Sequence, residues 1–134
     1  MKKILFICKF NRFRSRVAEA YFRKISPKAK VKSAGIIQGT PLNQDQVNAA
    51  LDFGIDIRGK PKGLTSKMLA WQDITIIVAD DVPEEIFNNK KYKKEVRNWK
   101  ISDGDPADKE KIGKIVKAIT TEVNKLDKEL KWKP

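Results

Sequence analysis

The sequence predicts an α/β fold: three layers, α/β/α, around a central, mostly parallel four-stranded sheet. Three observations lead there. Short runs of β-branched and aromatic residues alternate with segments of helical periodicity along the whole chain. The clearest of these runs, Ile74–Ala79, reads as a buried strand. No repeat, low-complexity linker or composition shift divides the 134 residues, so a single domain over 1–134 is expected.

Taken in order, Lys3–Ile7 reads as a buried strand and residues 8–14 as a loop. From Ser15 the pattern is helical, with Val17/Tyr21 and Ala18/Phe22 as i,i+4 pairs, and Ser26-Pro27 ends it. Ser15 stands where a cap or first-turn residue belongs, with Glu19 one turn on. Lys30–Ala34 is a second strand, closed by Gly35. A turn at 39–43 leads into a helix over about Gln44–Phe53, with Val47, Ala50 and Leu51 inward and Gly54 ending it. Gly59–Gly63 is a Lys/Pro/Gly loop, and about 65–70 is a short helix. After Ile74–Ala79, Val82-Pro83-Glu84-Glu85 has the proline and acids of a helix start. Val96–Ile101 is a fourth strand. Ile112, Ile115, Val116, Ile119, Val123, Leu126 and Leu130 then recur at three- and four-residue steps, one face of a long C-terminal helix with lysines opposite.

Composition narrows the chemistry. With 40% hydrophobic and 34% charged residues the chain reads as soluble and globular rather than disordered. No apolar run approaches the roughly 20 residues of a membrane span, and no secretory segment is legible, so a cytoplasmic location and no membrane partner are expected. Cys8 is the one cysteine and there is no histidine. That excludes an intramolecular disulfide, multi-cysteine metal sites and Ser-His-Asp or Cys-His catalysis. A net charge of +12 attracts anions without saying which.

In open α/β sheets ligands bind at the carboxyl ends of the strands, which points to the loop after the first strand. Cys8-Lys9-Phe10-Asn11-Arg12-Phe13-Arg14-Ser15 holds the sole thiol, three cations and a helix start. A helix N-terminus favours both an anion and a thiolate. Arg14 lies six residues after Cys8, a length that lets the loop wrap back so that thiolate and guanidinium face one oxyanion. A lone cysteine at a strand end is most often an inert small hydrophobe, but its cationic strand–loop–helix setting favours function.

This arrangement resembles the low-molecular-weight protein tyrosine phosphatases and the arsenate reductases built on the same fold. Their signature is a phosphate-binding loop, C-x-G-N-x-x-R-S, after the first strand, and Cys8, Asn11, Arg14 and Ser15 stand at the matching positions. The likeness continues in Val17-Ala18-Glu19-Ala20, Ser33-Ala34-Gly35 and Asp73–Asp80. It implies a phosphatase acting on phosphate monoesters, with protein phosphotyrosine the expected substrate, through a cysteinyl-phosphate. Cys8 would attack phosphorus. Lys9, Phe10, Asn11, Arg12, Phe13, Arg14 and Ser15 would form the phosphate site. Arg14 would clamp the oxygens, Ser15 would assist the thiolate, and Asn11 would hold the loop's shape. Lys9 and Arg12 would add to the positive field. No metal or cofactor is implied.

The family's general acid is an Asp, usually before Pro, in the loop after the fourth strand. Asp105-Pro106 matches the dipeptide, and Asp103 better matches the spacing from Ile101. Either also suits a helix cap or turn. Several positions depart from the pattern. Phe10 replaces Gly, Phe13 replaces a common second cysteine, Ala107 and Asp108 replace the tyrosines that follow the acid, and the histidine supporting the loop Asn is absent. The thioredoxin-coupled arsenate reductase mechanism needs further cysteines that the chain lacks. An external-thiol arsenate reductase or an inactive phosphate- or phosphoprotein-binding relative are the alternatives. Lys90-Lys91-Tyr92-Lys93-Lys94 with Arg97 and Lys100 is a basic stretch with an aromatic interleaved, but a solvated lysine-rich face is its stronger reading, and a nucleic-acid partner is not favoured. The expected partner is a phosphorylated protein or small phosphate monoester, and the oligomeric state is left open.

Overall fold

A computed structural model of the chain describes residues 1–132. Strands β1 (Lys3–Cys8), β2 (Lys30–Gly35), β3 (Ile74–Ile77) and β4 (Glu95–Asn98) form one sheet in the order β2-β1-β3-β4, parallel throughout. Helices α1 (Arg14–Ile25), α2 (Gln44–Leu51), α3 (Ser66–Trp71) and α4 (Lys109–Trp132) connect and cover it. Alternation along β1 divides the core. Ile4 and Phe6 join the larger apolar cluster with α1 and α4, while Leu5 and Ile7 face Met68 and Leu69 of α3 on the other side. The sheet is therefore covered on both faces, as an all-parallel sheet requires.

α4 buries Ile112, Ile115, Val116, Ile119, Val123 and Leu126, the stripe its periodicity predicts, with Leu130 packed at its margin. Each such side chain contributes roughly 1.5–3 kcal/mol of burial. Arg97 of β4 reaches across to Glu129 of α4 and pairs with it through both nitrogens.

Four expectations need correction. The fourth strand stops at Asn98 rather than running to Ile101, because Lys100 adopts φ 51° and the Asn98 side chain accepts its N–H, turning the chain out of the ladder. β3 ends at Ile77, although Val78 and Ala79 stay buried and Val78 N–H still bonds Ile7 O at 2.7 Å. The segment after Pro83 makes only a 3-10 turn, Glu84–Phe87. α2 ends at Leu51, which is 46% exposed, so Leu51 faces outward while Gln46 and Ala49 join Val47 and Ala50 inside. Gly54 supplies the left-handed φ, 72°, that closes the turn after α2. No helix among the described residues is long and apolar enough to cross a membrane.

Candidate functional site

β1, buried in the sheet centre, delivers Cys8 to the carboxyl edge, and the chain turns through 9–13 into α1. A strap formed by 36–41 holds this loop from outside. Ile36 N–H bonds Cys8 O, Ile37 N–H bonds Lys9 O and Gly39 N–H bonds Phe10 O, each at 3.1 Å. Among the described residues, the N–H groups of Lys9 through Arg16 donate to no backbone carbonyl. With its carbonyls turned to the strap and its N–H groups unpaired beside a helix start, the loop has the geometry that can hold an anion.

Asn11 is the hinge of the loop. It adopts φ 56°, a conformation Asn tolerates better than other side chains. Phe10, at the position of the motif's glycine, is not among the positive-φ residues and carries no such strain. Its ring is 39% exposed at the rim with Lys9 Nζ 5.3 Å from its centroid.

The hydrogen bonds around Asn11 have a fixed direction. The Ser33 hydroxyl donates to Glu19 Oε1 at 2.6 Å, since a carboxylate only accepts. Ser33 Oγ is then free to accept, and Asn11 Nδ2 donates to it at 3.0 Å and to Ser15 Oγ at 2.8 Å. Asn11 Oδ1 in turn accepts from Lys62 N at 2.9 Å and Arg16 Nη1 at 3.3 Å, which fixes the amide orientation. The Ser15 hydroxyl accepts from Asn11, keeps its own proton, and lies 3.0 Å from Cys8 Sγ, where it can donate to a thiolate. Every member of the chain Glu19–Ser33–Asn11–Ser15–Cys8 is buried, so a Cys8 thiolate has a donor within reach.

Arg14 is 3% exposed and lies against the loops that follow β3 and β4. Nη1 donates to Ile101 O at 2.9 Å and Nη2 to Asp81 Oδ1 at 3.0 Å, leaving three of a guanidinium's five donors for a ligand. Asp80 lies 3.7 Å and Asp103 3.9 Å from the same guanidinium. Asp103 thus joins the cluster. Asp105 makes no ion pair with Arg14 among the described residues, and its carboxylate accepts Ala107 N–H at 2.9 Å, shaping the turn before α4.

The remaining loop residues divide. Phe13 is buried in the larger apolar cluster and can offer a ligand only its backbone. Arg12 donates to Thr40 O at 3.2 Å and Pro41 O at 3.0 Å, fastening the strap. The cation beside the thiol that sequence reading missed is Arg16. It is buried and bonds Ile57 O through Nε and Nη2 and Lys60 O through Nη1. Burial pulls its guanidinium below the usual arginine range, while attraction to Glu19 and to Cys8 opposes that shift. Asp80 and Asp81 were also missed as site residues. Their signal was present: two acids directly after the buried run Ile74–Ala79, at its carboxyl end.

Similar structures place this architecture among known proteins. A tyrosine phosphatase from Erwinia amylovora superposes with TM-score 0.75 at 19% identity, over 93% of this chain and 91% of that one. An arginine phosphatase from Geobacillus stearothermophilus gives 0.76 at 21%, over 100% and 99%. An arsenate reductase from Archaeoglobus fulgidus gives 0.72 at 23%, over 92% and 98%. At these identities the likeness establishes the fold. The sequence itself matches the family model described as low molecular weight phosphotyrosine protein phosphatase over residues 3–134, and the chain belongs to that family of cysteine phosphatases.

Proposed function

We propose that this protein hydrolyses phosphate monoesters, with phosphotyrosine in proteins as the substrate, by two-step transfer through Cys8. The observation that carries the reading is the buried Cys8 Sγ with Ser15 Oγ 3.0 Å away, seated under a loop of unpaired N–H groups that Arg14 closes. In the first step the thiolate attacks phosphorus, the P–O bond to the leaving group breaks, and Asp103 gives that oxygen its proton. The loop N–H groups and Arg14 hold the three equatorial oxygens as charge redistributes. In the second step Asp103 takes a proton from water, water attacks phosphorus, and the S–P bond breaks. The thiolate leaves with the Ser15 hydroxyl donating to it. Among the two candidate acids, proximity to Arg14 supports Asp103, and Asp105 serves the turn. Phe10 and Ile37, both exposed and joined through the strap, offer an apolar rim for the substrate's ring.

The test is hydrolysis of p-nitrophenyl phosphate with EDTA present, for wild type and Cys8→Ser, with and without vanadate. Turnover that survives EDTA, is lost in Cys8→Ser and is blocked by vanadate supports the mechanism. Turnover retained by Cys8→Ser overturns it.

A further inference from the structure

We propose that Arg16 is a positioning residue for the Cys8 thiolate, holding Asn11 in its left-handed turn and keeping a fixed positive charge behind the nucleophile. The inference rests on reading Cys8 as the nucleophile. Arg16 stands one residue beyond the Ser15 of the motif and sits on the flank of α1 that meets the 56–62 loop. Three acceptors from that loop and the phosphate loop converge on it. Ile57 O takes Nε at 2.9 Å and Nη2 at 2.7 Å, Lys60 O takes Nη1 at 3.0 Å, and Asn11 Oδ1 takes Nη1 at 3.3 Å.

The site is shaped for a guanidinium. Gly59 has φ 135°, and a Cβ there would lie 2.7 Å from Arg16 Nη2, so the loop needs glycine to let the fork in. The planar fork spans Ile57 O, Lys60 O and Asn11 Oδ1 together, which an ammonium cannot do from one position. Because Asn11 Oδ1 is held on that side, both Asn11 amide hydrogens are directed to Ser33 and Ser15, and Ser15 keeps its own proton, which it can donate to a thiolate. Arg16 therefore acts on the thiolate twice: through the Asn11–Ser15 relay and through its own charge.

The charged groups around this pair are Arg14, Glu19 and Arg23 on the same helix, Asp56 paired with Arg58, Lys60 and Lys62 on the adjoining loop, and the carboxylates of Asp80, Asp81 and Asp103 gathered on Arg14. Arg14 has three carboxylates about it and Glu19 already answers Arg23 at 3.0 Å. Arg16 has backbone and amide oxygens as its hydrogen-bond partners, and its charge is shared between Glu19 and Cys8.

The experiment is the rate of Cys8 alkylation by iodoacetamide from pH 5 to pH 10 in wild type, Arg16→Gln and Arg16→Lys, each checked for folding by circular dichroism. Alkylation needs no turnover, so the result is readable whether or not the protein hydrolyses p-nitrophenyl phosphate. At pH 6 the rate is expected to fall about tenfold in Arg16→Gln and two- to threefold in Arg16→Lys, with all three rates converging at high pH, as loss of a neighbouring cation disfavours a thiolate. A loss of turnover with an unchanged alkylation profile would mean loop support alone and overturn the proposal. Should Arg16→Gln not fold, Arg16→Lys decides on the same axis, and a folded variant of either kind that tracks wild type at pH 6 refutes the assignment.

Discussion

Gly35 lies directly against the phosphate loop at Phe10: a Cβ on Gly35 would stand 2.6 Å from the Phe10 carbonyl carbon, 2.8 Å from Asn11 N and 2.5 Å from Ile37 O. All three are backbone atoms, and none can swing aside. The end of β2 thus sets how closely the loop and its strap approach each other. Gly35→Ala is expected to destabilise the fold by about 1–3 kcal/mol or more, and to remove turnover in the fraction that remains folded. Urea unfolding midpoints and p-nitrophenyl phosphate kinetics check both parts. Wild-type activity in a stable Gly35→Ala variant would mean that the loop tolerates displacement.

Asp81 accepts from Arg14 Nη2 at 3.0 Å, and under the proposed function that carboxylate would compete with an incoming dianion for the guanidinium. Asp81→Asn keeps an acceptor for Nη2 and removes the repulsion. Inhibitory phosphate is expected to bind threefold to tenfold more tightly in Asp81→Asn at low ionic strength, a gain of about 0.7–1.4 kcal/mol, with the difference shrinking as salt screens it. Equal inhibition constants at low salt would show that Asp81 has no electrostatic effect on the ligand.

The two acid candidates separate by leaving group. Asp103→Asn is expected to slow alkyl and phenyl phosphates by about 100-fold or more, and p-nitrophenyl phosphate much less, because a good leaving group needs little protonation. Asp105→Asn keeps an acceptor for the Ala107 N–H and is expected to leave the dependence on leaving group unchanged. A rate series over phenols of graded acidity measures this, and the reverse pattern would assign the acid to Asp105.

Asp73 clamps the lower end of the sheet. Its Oδ2 accepts Lys3 N–H at 2.8 Å and its own N–H bonds Lys3 O at 2.7 Å. The Lys3 N–H, followed in effect by the Lys94 ammonium, holds the Asp73 carboxyl below its usual 3.8. A carboxyl depressed on folding adds stability that is complete above its unfolded value and is lost as pH falls through the lowered folded value. Asp73→Asn is therefore expected to cost about 1 kcal/mol at pH 7 and to flatten the loss of stability below about pH 4. Denaturation at pH 7 and pH 3 compares the two, and parallel acid limbs would rule out the Asp73 contribution.

What the sequence discloses here depends on how far apart the interacting residues are. Cys8, Asn11, Arg14 and Ser15 are legible because the loop packs its chemistry into one short stretch. The buried stripe of α4 is legible because helical repetition is a local property. Arg16 and Asp81 gain their roles from contacts with Ile57 and Arg14, 41 and 67 positions away, which no local pattern reports. The strap-fastening bonds of Arg12 are hidden for the same reason, since its partners lie at 40 and 41. The fourth strand was placed correctly but read too long, because the break at Lys100 comes from a backbone angle that lysine rarely adopts.

The order of strands in the sheet has a kinetic consequence. β1 carries Cys8, yet its neighbours are β2 at Lys30–Gly35 and β3 at Ile74–Ile77, and Arg14 is closed by Ile101. Parallel pairing gives β1 no hairpin partner nearby, so the surfaces that complete the loop's surroundings, the 56–62 loop, β3 and the 99–103 segment, arrive from distant chain. A chain folded only through β2 has the motif but not the site. The rise of Cys8 reactivity during refolding should therefore follow docking of β3 and the 99–103 segment, not formation of α1, so the nucleophile itself reports completion of the fold.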